Sequence, residues 1–161
     1  TERVLCFHLL LSFLFLKMLG TQVAAVIAGF HKLLPGEGEI ELHITRSTGD
    51  DGFGYEFDLY VAIEQCIHAG VDIINVSNGS IDLSSFNDQL YDRVVNHHGI
   101  MLIAAAGNEG DSTRRYPAAH PVAIAVTSVD ESGDISHFSN SGHWVELAAP
   151  GAAIVGPASA S

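Results

Sequence analysis

At 161 residues the chain is long enough for one domain with a sizeable hydrophobic core and short for two. Hydrophobic residues make up 47% of it and charged residues 16%, which excludes a disordered, low-complexity chain. The formal net charge of −12 opposes binding to a phosphate backbone, so nucleic acid is not an expected partner.

Residues 4–16 form an almost continuous apolar run between Arg3 and Lys17. As a helix this run is too short to span a bilayer comfortably, so no stable membrane span is expected. A charged residue before the run and small residues after it fit the core of a secretory signal peptide, and a buried strand or helix is the alternative. We interpret residues 1–18 as an apolar segment of unclear status, either signal-like or a misread exon.

The two cysteines, Cys6 and Cys66, lie in apolar stretches of the sequence. A free thiol in such surroundings packs as a small hydrophobic side chain. The cysteines therefore identify no redox compartment.

An alternating stretch and an acidic loop follow the first quarter of the chain. The alternation in residues 39–44 predicts a strand, and residues 47–55 predict a loop. Carboxylates near this loop have the chemistry of calcium ligands but not the spacing of a recognised calcium loop, so we expect a solvated acidic surface and no cofactor. These carboxylates belong to Asp50, Asp51, Glu56 and Asp58.

Two helices alternate with strands in the middle of the chain. The first is predicted to begin with Asp58 as its N-cap and to end at Gly70, and residues 71–80 form the strand after it. Ser84 or Ser85 is expected to cap the second helix, which Gly99 ends. The apolar residues expected to face the sheet are Leu59, Ala62, Ile63, Cys66 and Ile67 in the first helix and Phe86, Leu90, Val94 and Val95 in the second.

The apolar run from Met101 to Ala106 predicts a strand buried on both faces, and the glycines on either side of Asn108 and Glu109 predict a tight turn after it. Ligands of parallel α/β sheets bind at the carboxyl ends of strands, so the amide of Asn108 is placed to donate into a site. The alternative is that Asn108 only completes the turn, since Asn tolerates left-handed backbone. Residues 122–129 predict a further strand.

Several of these segments resemble those of the subtilisin-like serine proteases, the subtilases. Ala-Ala-Ala-Gly-Asn-Glu-Gly at residues 104–110 is similar to the family's oxyanion-hole segment, and the other similar segments are residues 18–29, 71–80, 116–118, 136–142 and 145–151. The resemblance implies an α/β fold with three layers, in which helices flank a mainly parallel sheet. It also implies that residues 19–161 are a partial subtilase domain, truncated at both ends.

The resemblance assigns roles to individual residues. Asn108 matches the oxyanion-hole asparagine, and Leu19 stands where the family has its catalytic histidine. Residues matching the substrate-binding segments are Ser77, Asn78 and Gly79, where Asn78 replaces a usual leucine, and Ala105, Ala106 and Gly107. The family's Gly-Thr-Ser-Met-Ala motif, which carries the nucleophilic serine, does not occur in these 161 residues.

Three functional hypotheses follow. The first is a secreted, monomeric serine endopeptidase that acts on peptides or proteins, with this chain inactive as given because Leu19 cannot accept a proton and the family's catalytic aspartate and serine are not found either. The second is a pseudoprotease that keeps the peptide cleft for binding or regulation by strand addition. The third, an unrelated α/β domain for a small ligand, is not supported by any Gly-x-Gly-x-x-Gly or Walker-type loop.

Overall fold

The computed structural model describes residues 3–9, 23–29, 40–48 and 54–154. The chain divides into two compact units, the first made of residues 1–75 with 155–161 and the second of residues 76–154. The expectations for Leu19 and for Asp50 and Asp51 fall outside the described residues. Within the described part, no helix combines the length and apolar character needed to cross a bilayer.

The first unit contains strand β1 (Arg3–Leu9), helix α1 (residues 23–29), strand β2 (Ile40–Arg46), helix α2 (Glu56–His68) and most of strand β3 (Ile73–Val76). Strands β1 and β2 pair in parallel over their full lengths. Residues 3–9 of the apolar N-terminal segment thus form a strand.

Helix α2 begins one turn earlier than the sequence predicts. Tyr55 is its N-cap, and the Asp58 carboxylate accepts a hydrogen bond from the Tyr55 amide at 3.0 Å. The prediction of Asp58 as N-cap is wrong because this carboxylate reaches back across the first turn from the third helical position. At the other end, Gly70 follows the C-cap with φ +69°, in the left-handed conformation that favours glycine.

The buried face of α2 is confirmed at Ala62, Ile63 and Cys66, each at most 1% exposed. Cys66 is disulfide-bonded, so the sequence-based view of it as a free thiol is wrong.

The second unit contains helix α3 (Ser85–Asp92), a π-helical turn (Arg93–His97) and strands β4 (Met101–Ala105), β5 (Ile124–Val129) and β6 (Leu147–Pro150). Strand β5 pairs in parallel with both β4 and β6. The predicted α/β fold with a parallel sheet and helices is confirmed.

Helix α3 is capped as expected, because the Ser84 hydroxyl accepts a hydrogen bond from the Asn87 amide at 3.1 Å. Its inward face differs from the predicted one. The buried residues are Asn87, Leu90, Tyr91 and Val94, which follow helical spacing. This arrangement turns Phe86 outward, so that its side chain is 45% exposed.

Strand β4 is buried on one face, and the expectation of burial on both faces is wrong. Leu102, Ala104 and Ala106 are each 1% exposed, whereas Met101 and Ala105 are exposed. Successive side chains of a strand point to opposite faces, so the residues that alternate with the core face outward. Ala105 therefore lies on the exposed face of β4, just before the turn that carries Asn108.

Candidate active site

Asn108 lies in the turn that follows β4. Gly107 precedes it with φ +118°, a backbone conformation that side-chain-bearing residues rarely adopt, and Gly110 follows with φ +71°. The Asn108 side chain is exposed and makes no hydrogen bond to the described residues. Its amide is therefore free to donate a hydrogen bond to a ligand.

Asn140 fixes the backbone on both sides of Asn108, and its own side chain is fully buried. Its backbone N–H donates to the Gly107 carbonyl at 3.1 Å, and its side-chain oxygen accepts from the Glu109 amide at 2.8 Å. Its Nδ2 donates to the Glu109 carboxylate at 2.6 Å and to the Thr113 carbonyl at 2.9 Å. One asparagine thus holds the whole turn.

Strand β5 holds Asn140 in turn. The Thr127 hydroxyl donates to the Asn140 carbonyl at 2.7 Å and also contacts the Ser139 hydroxyl at 2.9 Å. The Ser128 amide donates to the same Ser139 hydroxyl at 2.9 Å. Because these groups lie on a paired strand, the Asn108 turn is connected by hydrogen bonds to the sheet.

Glu109 and Arg115 form a bidentate ion pair beside this turn. Arg115 Nε donates to Glu109 Oε2 at 3.1 Å, and Arg115 Nη2 donates to Glu109 Oε1. The hydrogen bond from Arg115 lowers the pKa of the Glu109 carboxyl despite its partial burial, and the hydrogen bond from Asn140 lowers it further. The same hydrogen bond from Glu109 raises the pKa of Arg115.

The ion pair predicts a stability that depends on pH. Since the pKa of Glu109 is lowered on folding, its contribution is present above the ordinary value of 4.5 and is lost as the pH falls through the folded-state pKa. Glu109→Gln is expected to lower Tm at pH 7 and to have a smaller effect under more acidic conditions. Thermal unfolding of both proteins between pH 3 and about pH 7 measures this, and a difference in Tm that does not change with pH would contradict it.

The two predicted substrate-binding segments lie in the second unit with Asn108. Ser77 and Asn78 are half-buried and Gly79 is exposed; in the other segment Ala105 is exposed, Ala106 is buried and Gly107 is half-buried. Ser80, directly after the first segment, exchanges two backbone hydrogen bonds of 3.0 and 2.8 Å with Tyr116. The Oδ1 atom of Asn78 is buried without a partner.

Sequence reasoning missed Asn140, Glu109 and Arg115. Residues 136–142, which include Asn140, resemble a segment of the family, but no local pattern predicts that the Asn140 side chain reaches Glu109.

Among the described residues, no group of three or more His, Cys, Asp or Glu side chains could hold a metal ion. The chemistry offered at Asn108 is a neutral amide donor, suited to an oxygen that gains negative charge.

Comparison with known proteins identifies related sequences. A family model described as the Subtilase family matches residues 20–160. The halolysin-like extracellular serine protease Nep of Natrialba magadii is 37% identical over 82% of this chain and 25% of its own length. The thermostable alkaline protease of Halalkalibacterium halodurans is 34% identical over 82% of this chain and 37% of its own length.

Solved structures agree with these sequence matches. The prenylagaramide maturation protease PagA has a TM-score of 0.80 and 27% identity, with 96% of this chain and 64% of that chain covered. The subtilisin-like protease Apa1 of Pseudoalteromonas sp. AS-11 has a TM-score of 0.76 and 26% identity, with 92% and 41% covered. This chain spans half or less of the length of the curated relatives that it matches.

Proposed function

The chain belongs to the subtilase family, and we propose that its second unit supplies the oxyanion-stabilising and substrate-binding part of a serine endopeptidase. In this proposal the enzyme cleaves peptide bonds in peptides or proteins. The names of two relatives describe them as extracellular, which supports secretion of this protein as well. We further propose that it acts as a monomer.

The observation that carries this proposal is the free amide of Asn108 on a fixed turn. Hydrolysis of a peptide places negative charge on the carbonyl oxygen, and donors aimed at that oxygen stabilise the transition state. A donor stabilises it most when it need not reorganise during the reaction. The hydrogen bonds of Asn140 to Gly107 and Glu109 provide this rigidity on either side of Asn108.

The two substrate-binding segments complete the proposed cleft. Residues 77–79 and 105–107 would lie on either side of an extended peptide, whose backbone would pair with theirs as an added strand. Gly79 and Ala105, one in each segment, are exposed and so are accessible to such a peptide. The scissile carbonyl would then sit at Asn108.

Sequencing the complete transcript tests the endopeptidase proposal directly. We expect it to encode an aspartate in an apolar strand upstream, a histidine at the position of Leu19, and Gly-Thr-Ser-Met-Ala downstream. These residues would supply the orienting carboxylate, the base and the nucleophile of a serine protease. A complete transcript that lacks the serine motif would overturn the proposal.

Leu19 favours a second candidate function, a pseudoprotease that binds peptides without cleaving them. A leucine side chain cannot serve as general base, whereas strand addition in the cleft requires only backbone groups and pockets. If Leu19 persists in the complete transcript, the full-length protein is expected to bind extended peptides. Failure to bind any of them would count against this function.

A further inference from the structure

The side chain of Arg115 lies between the two proposed substrate-binding segments. A Cβ atom added at Gly79 would come within 3.0 Å of Arg115 Cβ, and one added at Gly107 would come within 2.9 Å of Arg115 Cγ. The aliphatic stem of one arginine therefore covers the Cβ side of a glycine in each segment. Both glycines allow this close approach because they lack a side chain.

The far end of Arg115 is held in place. Its guanidinium donates two hydrogen bonds to the Glu109 carboxylate, which Asn140 also holds through Nδ2 at 2.6 Å. The negative charge of Asp111 also favours the charged form of Arg115. A guanidinium held by two hydrogen bonds has little freedom to move aside, since movement would leave both charged groups without their partners.

From this placement we infer that Arg115 determines the specificity of the proposed cleft. It occupies the space between Gly79 and Gly107 and restricts the pocket next to the scissile bond to small, uncharged side chains such as those of glycine, alanine and serine. This inference rests on the proposed function, which places the peptide between residues 77–79 and 105–107.

Size and charge both lead to this preference. A phenylalanine side chain could enter only by displacing the Arg115 stem, which would break the ion pair with Glu109. Arg115 and Glu109 already pair with each other, so a substrate lysine or glutamate would lose hydration there without gaining an unpaired partner of opposite charge. An alanine side chain requires no displacement and introduces no charge.

Binding of product-like peptides to the purified chain tests the inference without requiring turnover. The peptides differ only in their C-terminal residue, which is alanine, phenylalanine, lysine or glutamate, because the new carboxylate of a cleaved product would lie at Asn108. Fluorescence anisotropy gives each Kd. We expect the alanine peptide to bind at least about tenfold more tightly than the phenylalanine peptide, within the range of pocket discrimination by size.

Arg115→Ala is expected to tighten binding of the phenylalanine peptide about tenfold and to leave the alanine peptide within about twofold. Asn140 continues to hold Glu109 in this variant, which preserves the turn. Arg115→Met retains most of the volume but loses the ion pair with Glu109, so its side chain can move aside and the phenylalanine peptide should bind with an affinity between those of the wild-type chain and Arg115→Ala. The matched control is Arg114→Ala, since the exposed Arg114 contacts His143 instead and should change neither Kd.

Asn108→Ala separates failure of this inference from failure of the proposed function. If the cleft is correct, this variant weakens all four peptides by a similar factor. Binding that depends on Asn108 but ignores the C-terminal side chain, or that favours phenylalanine in the wild-type chain, would overturn the role of Arg115 alone. Absence of binding by all the peptides, or binding that ignores Asn108, would overturn the proposed cleft and this inference with it.

Discussion

Replacing Asn140 by alanine is expected to lower the free energy of unfolding by about 2–4 kcal/mol, a large effect for one polar side chain. The change removes three side-chain hydrogen bonds, two to Glu109 and one to the Thr113 carbonyl. It also leaves a cavity at a position with no solvent exposure. The cost is high because the groups left behind lose their partners without gaining full access to water.

Denaturant unfolding of the wild-type chain, Asn140→Ala and a matched control measures this effect. The control is Asn96→Ala, which removes a single exposed hydrogen bond of 2.7 Å to Asp92 and should change the free energy of unfolding by less than about 0.5 kcal/mol. Equal destabilisation by the two alanine substitutions would contradict the central role of Asn140.

A second substitution separates the hydrogen-bonding pattern of Asn140 from its size. Asn140→Asp keeps the shape but puts a carboxylate where Nδ2 now donates to Glu109 at 2.6 Å. Two carboxylates at this distance repel each other when both are ionised. The destabilisation by Asn140→Asp should therefore be larger at pH 7 than near pH 4, where carboxylic acids begin to protonate.

Secondary structure was largely predictable from local patterns. The alternation around residues 39–44 and the apolar runs at residues 101–106 and 122–129 gave β2, β4 and β5 within a few residues of their observed bounds. Which side chains of each helix and strand face the core was less predictable. Phe86 and Met101 are apolar yet exposed, because the faces of α3 and β4 that pack inward are set by tertiary contacts and not by hydrophobicity alone.

The candidate site was predictable only in part for a related reason. Asn108 stands out because an amide follows an apolar strand between glycines, a pattern contained in a few residues. Asn140 lies 31 positions from Glu109, so the hydrogen bonds between them depend on how β5 and its loop fold back. The ion pair of Glu109 with Arg115 was close enough in sequence to suspect, but many pairings of surface charges would have been equally compatible with it.

The purified 161-residue chain is expected to show no serine-protease turnover. In subtilisin, a member of this family, loss of the oxyanion-hole asparagine lowers kcat by about 10² to 10³, whereas loss of the serine or the histidine lowers it by about 10⁶. Retaining Asn108 therefore cannot compensate for leucine at position 19. The measurement combines a fluorogenic peptide assay with a fluorophosphonate probe that labels activated serines, and an active subtilisin serves as the positive control.

Leu19→His provides the sharper form of this experiment. A histidine at position 19 would restore a base, but an oxyanion forms only after a nucleophile attacks the peptide carbonyl, and the Gly-Thr-Ser-Met-Ala motif does not occur in these 161 residues. This variant should therefore remain inactive and unlabelled. The same substitution in a longer reading frame that encodes both the motif and the upstream aspartate should give turnover. Labelling of any serine in the unmodified 161-residue chain would contradict this account, since it would reveal a nucleophile that is activated without the family's histidine.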